Sequence, residues 1–298
     1  MYVNLGECII IAKGNSIMKM YKITRVINNN VICSLDEAGS EIILRGKGIG
    51  FQKKAGMEVM DSDIEGIFIL EKAQTKNKLL ELLEDIPPEY IEVSTQIIEH
   101  ARGKLGRLLD ENIYVTLTDH IHFAVIRKKR QMEYMNPLLW EIKSYYGPEF
   151  QIGLWALDVI EKRLGLRLKE DEAGFIALHI VNAQLGIQMN NMYQVTEMIG
   201  GIVNIAEEYY GRQFDCHSMD YERFITHLKF FGQRLFKNKV FGKEDPGFHK
   251  MIKERYARDY ACARKIQAYI LEKYGKEVGS EEMTFLTVHL RRVSSEDI

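Results

Sequence analysis

The sequence has few of the features that mark secreted, membrane-spanning or zinc-stabilised proteins. Its 298 residues include only four cysteines, Cys8, Cys33, Cys216 and Cys262, and no two of them form a C-x-x-C pair. This spacing argues against a structural zinc site or a disulfide scaffold and suits a reducing cytoplasm. No apolar run reaches the roughly 18 residues of a membrane-spanning helix. The net charge of −2 argues against affinity of the whole chain for nucleic acid, although one module can still present a basic face.

The sequence also lacks the motifs of common hydrolases and nucleotide-binding enzymes. It contains no G-x-S-x-G, no H-E-x-x-H and no His-Asp dipeptide, so no sequence motif pairs a nucleophile or a metal ligand with a catalytic base. Segment 46–50 is rich in glycine. It lacks the full G-x-G-x-x-G spacing, however, and no helical pattern follows it, so it is weak as a nucleotide site. We assign no catalytic residues and predict that the protein is not an enzyme.

The first clear pattern is a stretch with a strand-like period. Residues 18–73 combine short apolar runs with frequent turns, which is typical of a small all-β domain. The predicted strands cover residues 21–27, 31–35, 41–44 and 67–70, and we expect them to form a four-stranded antiparallel sheet. A module of about 50 residues is marginal alone, so we expect it to dimerise or to lean on a neighbour.

Residues 1–17 precede this module and are predicted to be an extension. Lys13-Gly14 lies just upstream of Met18 and Met20, and codons for such a stretch can resemble a ribosome-binding site. We therefore expect the natural protein to begin at Met18 or Met20.

Several side chains of the β module are suited to RNA. Lysines and arginines flank its predicted strands, and Asn28 and Asn30 have amides that can both donate to and accept from base edges. The glycines of segment 46–50 allow close backbone approach, and Phe51 can stack on an unpaired base of an RNA loop or bulge. Two structural alternatives remain open at this point: Asn28-Asn29-Asn30 forms only a turn, or Phe51 belongs to the core.

Beyond the β module the apolar period becomes helical, and one pattern occurs twice. Segment 117–124 is similar to segment 224–231, and segment 159–162 is similar to segment 270–273. The repetition predicts two homologous all-α helical-bundle domains, residues 84–190 and residues 191–298. Residues 74–83 are predicted to be the linker that joins them to the β module, turning helical by Leu79.

Each helical copy carries two histidines at nearly equal spacing. The first copy has His120 and His179, 59 residues apart, and the second has His227 and His289, 62 residues apart. Before the second histidine of each copy, a phenylalanine and an aliphatic residue stand four and three positions away, on the same helical face. Core packing alone does not readily explain two such pairs, so each pair is expected to converge across its helix bundle.

Three roles are open for these histidines: core residues, metal ligands or phosphoryl acceptors. A metal site needs further ligands nearby, and Asp119 and His122 flank His120, but Lys229 replaces His122 in the second copy, which weakens a shared metal site. A neutral imidazole nitrogen is a nucleophile near neutral pH, and a phosphoryl group would add a charge of about −1.5 to −2. The spacing alone does not choose between phosphorylation and a structural role.

At these residues the sequence resembles a known family, the sugar-operon transcriptional antiterminators of bacteria. Members join a small RNA-binding domain to two phosphotransferase-system regulation domains. The resemblance covers Met18 to the C-terminus in the family's order, and it is carried by segments 26–31, 46–54, 118–121 and 174–183. It implies a dimeric β domain that grips a hairpin in nascent mRNA in the cytoplasm, so that an overlapping terminator hairpin does not form and transcription continues.

The resemblance also implies roles for individual residues. The RNA-binding positions would be Arg25, Asn28, Asn30, Gly46, Lys47, Gly48 and Phe51. The phosphorylation sites would be His120, His179, His227 and His289. The implied partners are the mRNA leader hairpin, the histidine-containing phosphocarrier protein, the sugar permease and a second copy of the chain, with no cofactor and no metal. The family assigns the first histidine pair mainly to inhibition linked to the permease and the second mainly to activation through the phosphocarrier protein.

Two further expectations follow from the comparison of the copies. The second copy has Met283-Thr284 where the first has Ala173-Gly174, a departure that puts in doubt how strongly the second domain is phosphorylated. We also expect His179 to lie near a domain or dimer surface, where a phosphoryl donor can reach it, and not in a sealed core.

Two other functions compete with this interpretation. The first is a DNA-binding transcriptional activator with the same regulation domains, but it would need a helix-turn-helix, which the strand-rich N-terminal part does not supply. The second is a metal-dependent hydrolase built on the helical repeats, which would bind stoichiometric metal.

Overall fold

The computed structural model describes residues 8–10, 19–70, 73–132, 134–187, 189–237 and 246–295. Within these residues, strands come first and helices follow, which confirms the predicted order of a small β module and an all-α region. The strands are β1 (Cys8–Ile10), β2 (Met20–Lys22), β3 (Arg25–Asn28), β4 (Val31–Leu35), β5 (Glu41–Arg45), β6 (Glu58–Met60) and β7 (Gly66–Leu70). The helices are α1 (Ala73–Asp85), α2 (Pro88–Leu105), α3 (Ile113–Lys129), α4 (Leu139–Tyr145), α5 (Gly147–Leu164), α6 (Glu170–Leu185), α7 (Met189–Tyr210), α8 (Met219–Phe236), α9 (Pro246–Arg255), α10 (Ala257–Tyr274) and α11 (Ser280–Val293).

The strands form one antiparallel sheet in the order β1-β7-β5-β4-β3 and a separate ribbon of β2 with β6. The main sheet therefore has five strands, and the prediction of four is wrong in its count. The fifth is β1, at the edge beside β7, and it comes from the segment predicted to be an extension. Apart from β1, residues 1–17 lie outside the described residues.

The predicted first strand, residues 21–27, is divided between the ribbon and the main sheet, so the prediction of a single strand is wrong. The backbone N–H of Ile23 donates to Met57 O (2.8 Å), whereas that of Thr24 donates to Cys33 O (2.8 Å). The chain thus changes hydrogen-bonding partner between these two residues, and the buried side chain of Ile23 anchors the change. The pairing partner β6 has only three residues, too few for an alternating pattern to be recognised.

The central strands of the main sheet bury both faces. In β5 the consecutive residues Ile42, Ile43 and Leu44 are all buried, where a sheet with one wet face would alternate. Ile42 and Leu44 belong to the core of the β module itself. On the opposite face, Ile43 pairs with Phe68, whose ring meets Tyr114 of α3 edge-on with centroids 6.3 Å apart. The module therefore leans on helices of its own chain, as marginal modules of this size require.

The predicted linker is part of a regular helix. Helix α1 begins at Ala73, six residues before the predicted helical start at Leu79. Thr75, Leu79 and Leu80 are buried, so one side of the helix packs inward. Packing of this kind stabilises a helix whose polar composition alone gives only a weak signal.

The described residues fall into two compact units. The first contains the β module and the helices up to Met135, together with Gln151–Gln184; the second contains Asn136–Phe150 and the chain from Leu185 onward. Residues 136–150 join the second unit because Tyr146 is fully buried there and its hydroxyl lies 3.1 Å from Thr196 Oγ1 on α7. The domain limits 84–190 and 191–298 stay a prediction. In the described part of the chain, every helix is too short or too polar to cross a lipid bilayer.

Candidate functional site

The two segments predicted to contact RNA lie side by side and are held together by hydrogen bonds. Asn28 Oδ1 accepts from the backbone N–H of Asn30 (2.8 Å), which shapes the turn between β3 and β4. Asn30 Oδ1 accepts from the backbone N–H of Gly48 (2.8 Å), and the N–H of Gly46 donates to Asn30 O (3.0 Å). The asparagines therefore form a turn, as one alternative held, and that turn also fixes the glycine segment.

The glycines of segment 46–50 are required by the fold of the chain itself. A Cβ on Gly46 would lie 1.9 Å from Asp63 O, and a Cβ on Gly50 would lie 2.2 Å from Asn28 O. Gly48 has φ +69°, a left-handed conformation that side chains other than glycine rarely adopt. The close backbone approach expected at an RNA surface is thus already used between two segments of the protein.

The exposed side chains around this loop are basic and aromatic. The side chain of Phe51 is 57% exposed, so the alternative that places it in the core is wrong. Lys47 and Arg25 are also exposed. Arg45 differs from these basic residues because its guanidinium contacts the carboxylates of Glu92 and Glu65. That pairing takes Arg45 out of the basic surface available to a polyanion.

The structure brings together both predicted histidine pairs. In the first helical copy, His120 on α3 and His179 on α6 have ring centroids 4.9 Å apart. In the second copy, His227 on α8 and His289 on α11 have ring centroids 4.4 Å apart, with the rings stacked. Residues about 60 positions apart in sequence thus meet at equivalent places in the two copies, as the repeated spacing predicts.

The first pair contacts a carboxylate, which in turn contacts an arginine. His120 Nε2 lies 3.0 Å from Glu172 Oε2, while Glu172 Oε1 accepts from Arg127 Nη2 at 2.9 Å. The contact between His120 Nε2 and Glu172 Oε2 does not have hydrogen-bond geometry. Burial acts to raise the pKa of Glu172, but His120 and Arg127 outweigh it and hold that pKa below its usual value. Glu172 is therefore a buried carboxylate that stays charged.

His179 does not lie where a phosphoryl donor reaches it directly, and the expectation of an accessible ring is wrong. Its side chain is only 8% exposed. The physical reason is that α6 is surrounded by core on most of its circumference, since Ala177, Leu178, Ile180 and Val181 are all buried. Burial, followed by the charge of His120, lowers the pKa of His179 well below its ordinary value.

The second pair opens on a cavity of about 630 Å³. The cavity is lined by Arg223, Thr226, Phe230 and both histidines, among others. Burial, then the charges of His289 and Arg234, lower the pKa of His227 to about 3. Burial and then Arg292 lower the pKa of His289, against an opposing effect of Asp220. His227 is therefore a neutral imidazole beside open space, the state in which a ring nitrogen is nucleophilic.

Four charged residues of these two domains are not among the site residues predicted from the sequence. Arg127 and Arg234 each follow the first histidine of their pair by seven residues, and Glu172 and Glu282 each precede the second by seven. Arg234 Nε and Nη2 donate to the two oxygens of Glu282 at 2.7 and 3.1 Å. The repeated spacing was the available signal.

The depressed pKa of His227 predicts a pH-dependent stability. The folded state binds a proton on the His227 imidazole less tightly than the unfolded state, in which the pKa of this group is near 6.5. The contribution of His227 to the free energy of unfolding is therefore complete above pH 6.5 and is lost as the pH falls. At pH 5 the expected loss from this group is about 2 kcal/mol. Urea unfolding of the full chain at pH 7 and pH 5 measures it. His227→Gln should unfold with a smaller pH difference than the parent, and an equal difference would contradict the prediction.

Known protein domains match three segments of the chain. Residues 21–77 match the CAT RNA binding domain, and residues 95–183 and 200–293 each match the PRD domain. The chain is 44% identical over 272 residues to the transcription antiterminator LicT of Bacillus subtilis (strain 168), covering 91% of this chain and 98% of that protein. It is 43% identical over 275 residues to the Beta-glucoside operon antiterminator of Dickeya chrysanthemi, covering 92% and 97%.

A crystal structure of GlcT CAT-PRDI is 35% identical and covers 56% of this chain and 99% of that one, with a TM-score of 0.49. The identity to the two antiterminators extends over nearly their whole length, and the domain matches follow the order inferred from the sequence. An RNA binding domain also stands where a DNA-binding activator would need its helix-turn-helix. The chain therefore belongs to the family of transcription antiterminators in which a CAT RNA binding domain precedes two PRD domains.

Proposed function

We propose that this antiterminator binds a hairpin in an mRNA leader and keeps an overlapping terminator from forming, and that phosphorylation of its four histidines sets this activity. The observation that carries the proposal is the pairing of His120 with His179, and of His227 with His289, in two domains of one regulatory family. Each pair has an arginine and a glutamate at equivalent positions, which is the composition of a site that handles an anionic group.

The RNA surface would be the asparagine turn and the glycine segment together with their exposed neighbours. Phe51 and Lys47 project from the loop that Asn30 holds in place. An exposed aromatic ring offers a stacking platform for an unpaired base, and lysine and arginine side chains contact phosphates. The proposed contacts are Arg25, Asn28, Asn30, Gly46, Lys47, Gly48 and Phe51.

The proposed target is a β-glucoside operon in the cytoplasm of a bacterium. This is suggested by the name of the Dickeya chrysanthemi relative, which is 43% identical to this chain.

The proposed phosphoryl donor is the histidine-containing phosphocarrier protein, with a sugar permease acting through the first histidine pair. The active form is proposed to be a homodimer. Phe123 and Phe230, three residues after the first histidine of each pair, are 51% and 43% exposed, as protein-docking surfaces often require.

The protein would act as a phosphoryl acceptor without turnover. The lone pair of a neutral acceptor imidazole forms the new N–P bond while the P–N bond of the phosphorylated donor histidine breaks. That electron pair returns to the donor ring, which also gains the N–H proton given up by the acceptor ring. One imidazole is thus exchanged for another, and charge and protons balance. His227 is prepared for this step because burial keeps its ring neutral and a cavity lies beside it.

Incubation with the phosphorylated carrier protein should label the chain on histidine, with the acid-labile, base-stable behaviour of phosphohistidine. Site-resolved mass spectrometry should find label at the four paired histidines. A variant with all four changed to glutamine should take up none, with circular dichroism showing that its helices are retained. His217, an exposed histidine outside both pairs, is the internal control and should stay unlabelled. Absence of label from the parent would defeat the regulatory part of the proposal.

A further inference from the structure

The two histidine pairs differ in where their glutamate lies. In the first domain, the carboxylate of Glu172 stands between His120 and Arg127, 3.0 Å from the ring nitrogen and 2.9 Å from the guanidinium. In the second domain, both oxygens of Glu282 are bound to Arg234. His227 Nε2 is buried there without a hydrogen-bond partner in the described part of the chain. One acceptor nitrogen is thus in contact with an anion, whereas the other belongs to a residue that lines a cavity.

A phosphoryl group on His120 Nε2 would need the space that Glu172 occupies. Such a group brings a charge of about −1.5 to −2 and three acceptor oxygens. A carboxylate whose oxygen lies 3.0 Å from the same nitrogen would be opposed by sterics and by like charge. Arg127 is already within reach, and the planar fork of a guanidinium binds phosphate as well as carboxylate in bidentate fashion.

We propose that Glu172 occupies the phosphoryl position of the first domain, and that phosphorylation of His120 transfers Arg127 from Glu172 to the phosphoryl oxygens. Glu172 then determines which domain accepts phosphate readily, since His227 needs no such exchange. The inference rests on the proposed phosphorylation of these domains. In the transfer step the lone pair of Nε2 forms the N–P bond, the donor's P–N bond breaks, and its electron pair stays on the donor imidazole. The N–H proton of the His120 ring then passes to that imidazole, so both rings end neutral.

The exchange also gives the modification a mechanical consequence. Glu172 lies in the first turn of α6 and is only 7% exposed. Once Arg127 leaves it, a buried carboxylate remains without the guanidinium that donates a hydrogen bond to it, and such a group is costly to keep. The first turn of α6 must then open toward water. Phosphate on α3 is thereby converted into a movement of the helix that carries His179.

Site-resolved rates of phosphoryl transfer to the full chain test the proposal. Glu172→Gln keeps the shape of the side chain and removes its charge, and it should raise the initial rate of labelling at His120 about tenfold. Glu272→Gln, at an exposed carboxylate of α10 outside both histidine pairs, is the charge-matched control in the second domain, and it should leave the rates at His120 and His227 within about twofold. Both rates are measured by rapid quench and mass spectrometry with the phosphorylated carrier protein.

A second donor separates the acceptor site from partner docking. Phosphoramidate is a small phosphoryl donor that needs no protein surface, and Glu172→Gln should accelerate labelling of His120 with it as well. Acceleration with the carrier protein alone would overturn the proposal, because the effect would then lie in docking. An unchanged rate at His120 with both donors would also overturn it. Absence of label from all four histidines of the parent would instead defeat the proposed function on which the inference rests.

Hydrogen exchange in the parent protein provides a test that needs no substitution at position 172. Phosphorylation should speed amide exchange in the first turn of α6, residues 171–175, and leave the first turn of α11 unchanged. Equal protection of α6 before and after labelling of His120 would overturn the proposed release of Glu172. Conversely, faster exchange confined to α6 would support it even if Glu172→Gln proved too unstable to assay.

Discussion

Replacing Asn30 with alanine is expected to lower the affinity of the chain for its leader hairpin about a hundredfold. The substitution removes the acceptor for the N–H of Gly48, so the glycine segment loses the hydrogen bond that ties it to the asparagine turn. It also removes an amide that can read a base edge. A lost hydrogen bond and a lost base contact together account for about 2.7 kcal/mol. Fluorescence anisotropy with a labelled hairpin at constant salt measures the change.

The neighbouring Asn29 provides a matched control for this prediction. Its side chain is exposed, and the contact it makes to the glycine segment comes from its backbone O, which accepts from Gly50 N at 2.9 Å. Asn29→Ala should therefore bind within about threefold of the parent, since an exposed side chain contributes little to the fold. Similar losses for the two variants would show that the turn as a whole, and not the Asn30 amide, determines the RNA surface.

The meeting of the histidine pairs could be predicted from the sequence, whereas their chemistry could not. Equal spacing in two copies predicts equal placement, because homologous helices pack alike, and the ring distances agree with this. The state of each ring depends on groups brought in by tertiary packing. Glu172 contacts His120 across 52 residues of chain, and no local pattern distinguishes it from Glu282, whose two oxygens both accept from Arg234. Two sites of the same composition thus acquire different electrostatics.

In the β module the sequence predicted chemical character better than geometry. The exposed aromatic and basic residues were recognised, and most strands were placed. The break at Ile23 was not, because both flanking stretches have a strand-like pattern and only the change of partner from Met57 to Cys33 divides them. The sequence predicts that the glycines allow RNA to approach the backbone closely. Gly46 and Gly50 are in fact fixed by contacts with the chain's own carbonyl groups, which no alternation of residues reveals.

The two copies differ in their packing around the departure of the second copy, Met283-Thr284 in place of Ala173-Gly174. In the first copy α5 and α6 approach so closely that a Cβ on Gly153 would lie 2.2 Å from Ala173 O, so position 153 requires glycine. In the second copy Thr284 Oγ1 lies 2.8 Å from His249 Nδ1 on α9 and donates to Ser280 O. The local packing at these positions therefore differs between the two copies, and the expectation about how strongly the second domain is phosphorylated stays a prediction.

The approach of α5 to α6 leads to the second large expected effect: Gly153→Ala should destabilise the first helical domain by about 3 kcal/mol. The added Cβ would meet the O, C and Cα atoms of Ala173, all within 3.1 Å. Because these are backbone atoms of a helix, no side-chain rotation relieves the clash, and the two helices must move apart. Urea unfolding followed by circular dichroism measures the loss.

The same displacement should reach the histidine site, because α6 carries both Glu172 and His179. A shift of α6 relative to α3 changes the contacts of Glu172 with His120 and Arg127, so site-resolved labelling at His120 should change while labelling at His227 stays at the parent level. Gly103→Ala is the control: Gly103 is exposed in the interior of α2 with nothing within 4 Å of an added Cβ. There the substitution should stabilise the helix by up to about 1 kcal/mol. Equal stabilities for the two variants would mean that a methyl group fits between α5 and α6. Position 153 would then not require glycine, which would contradict the prediction.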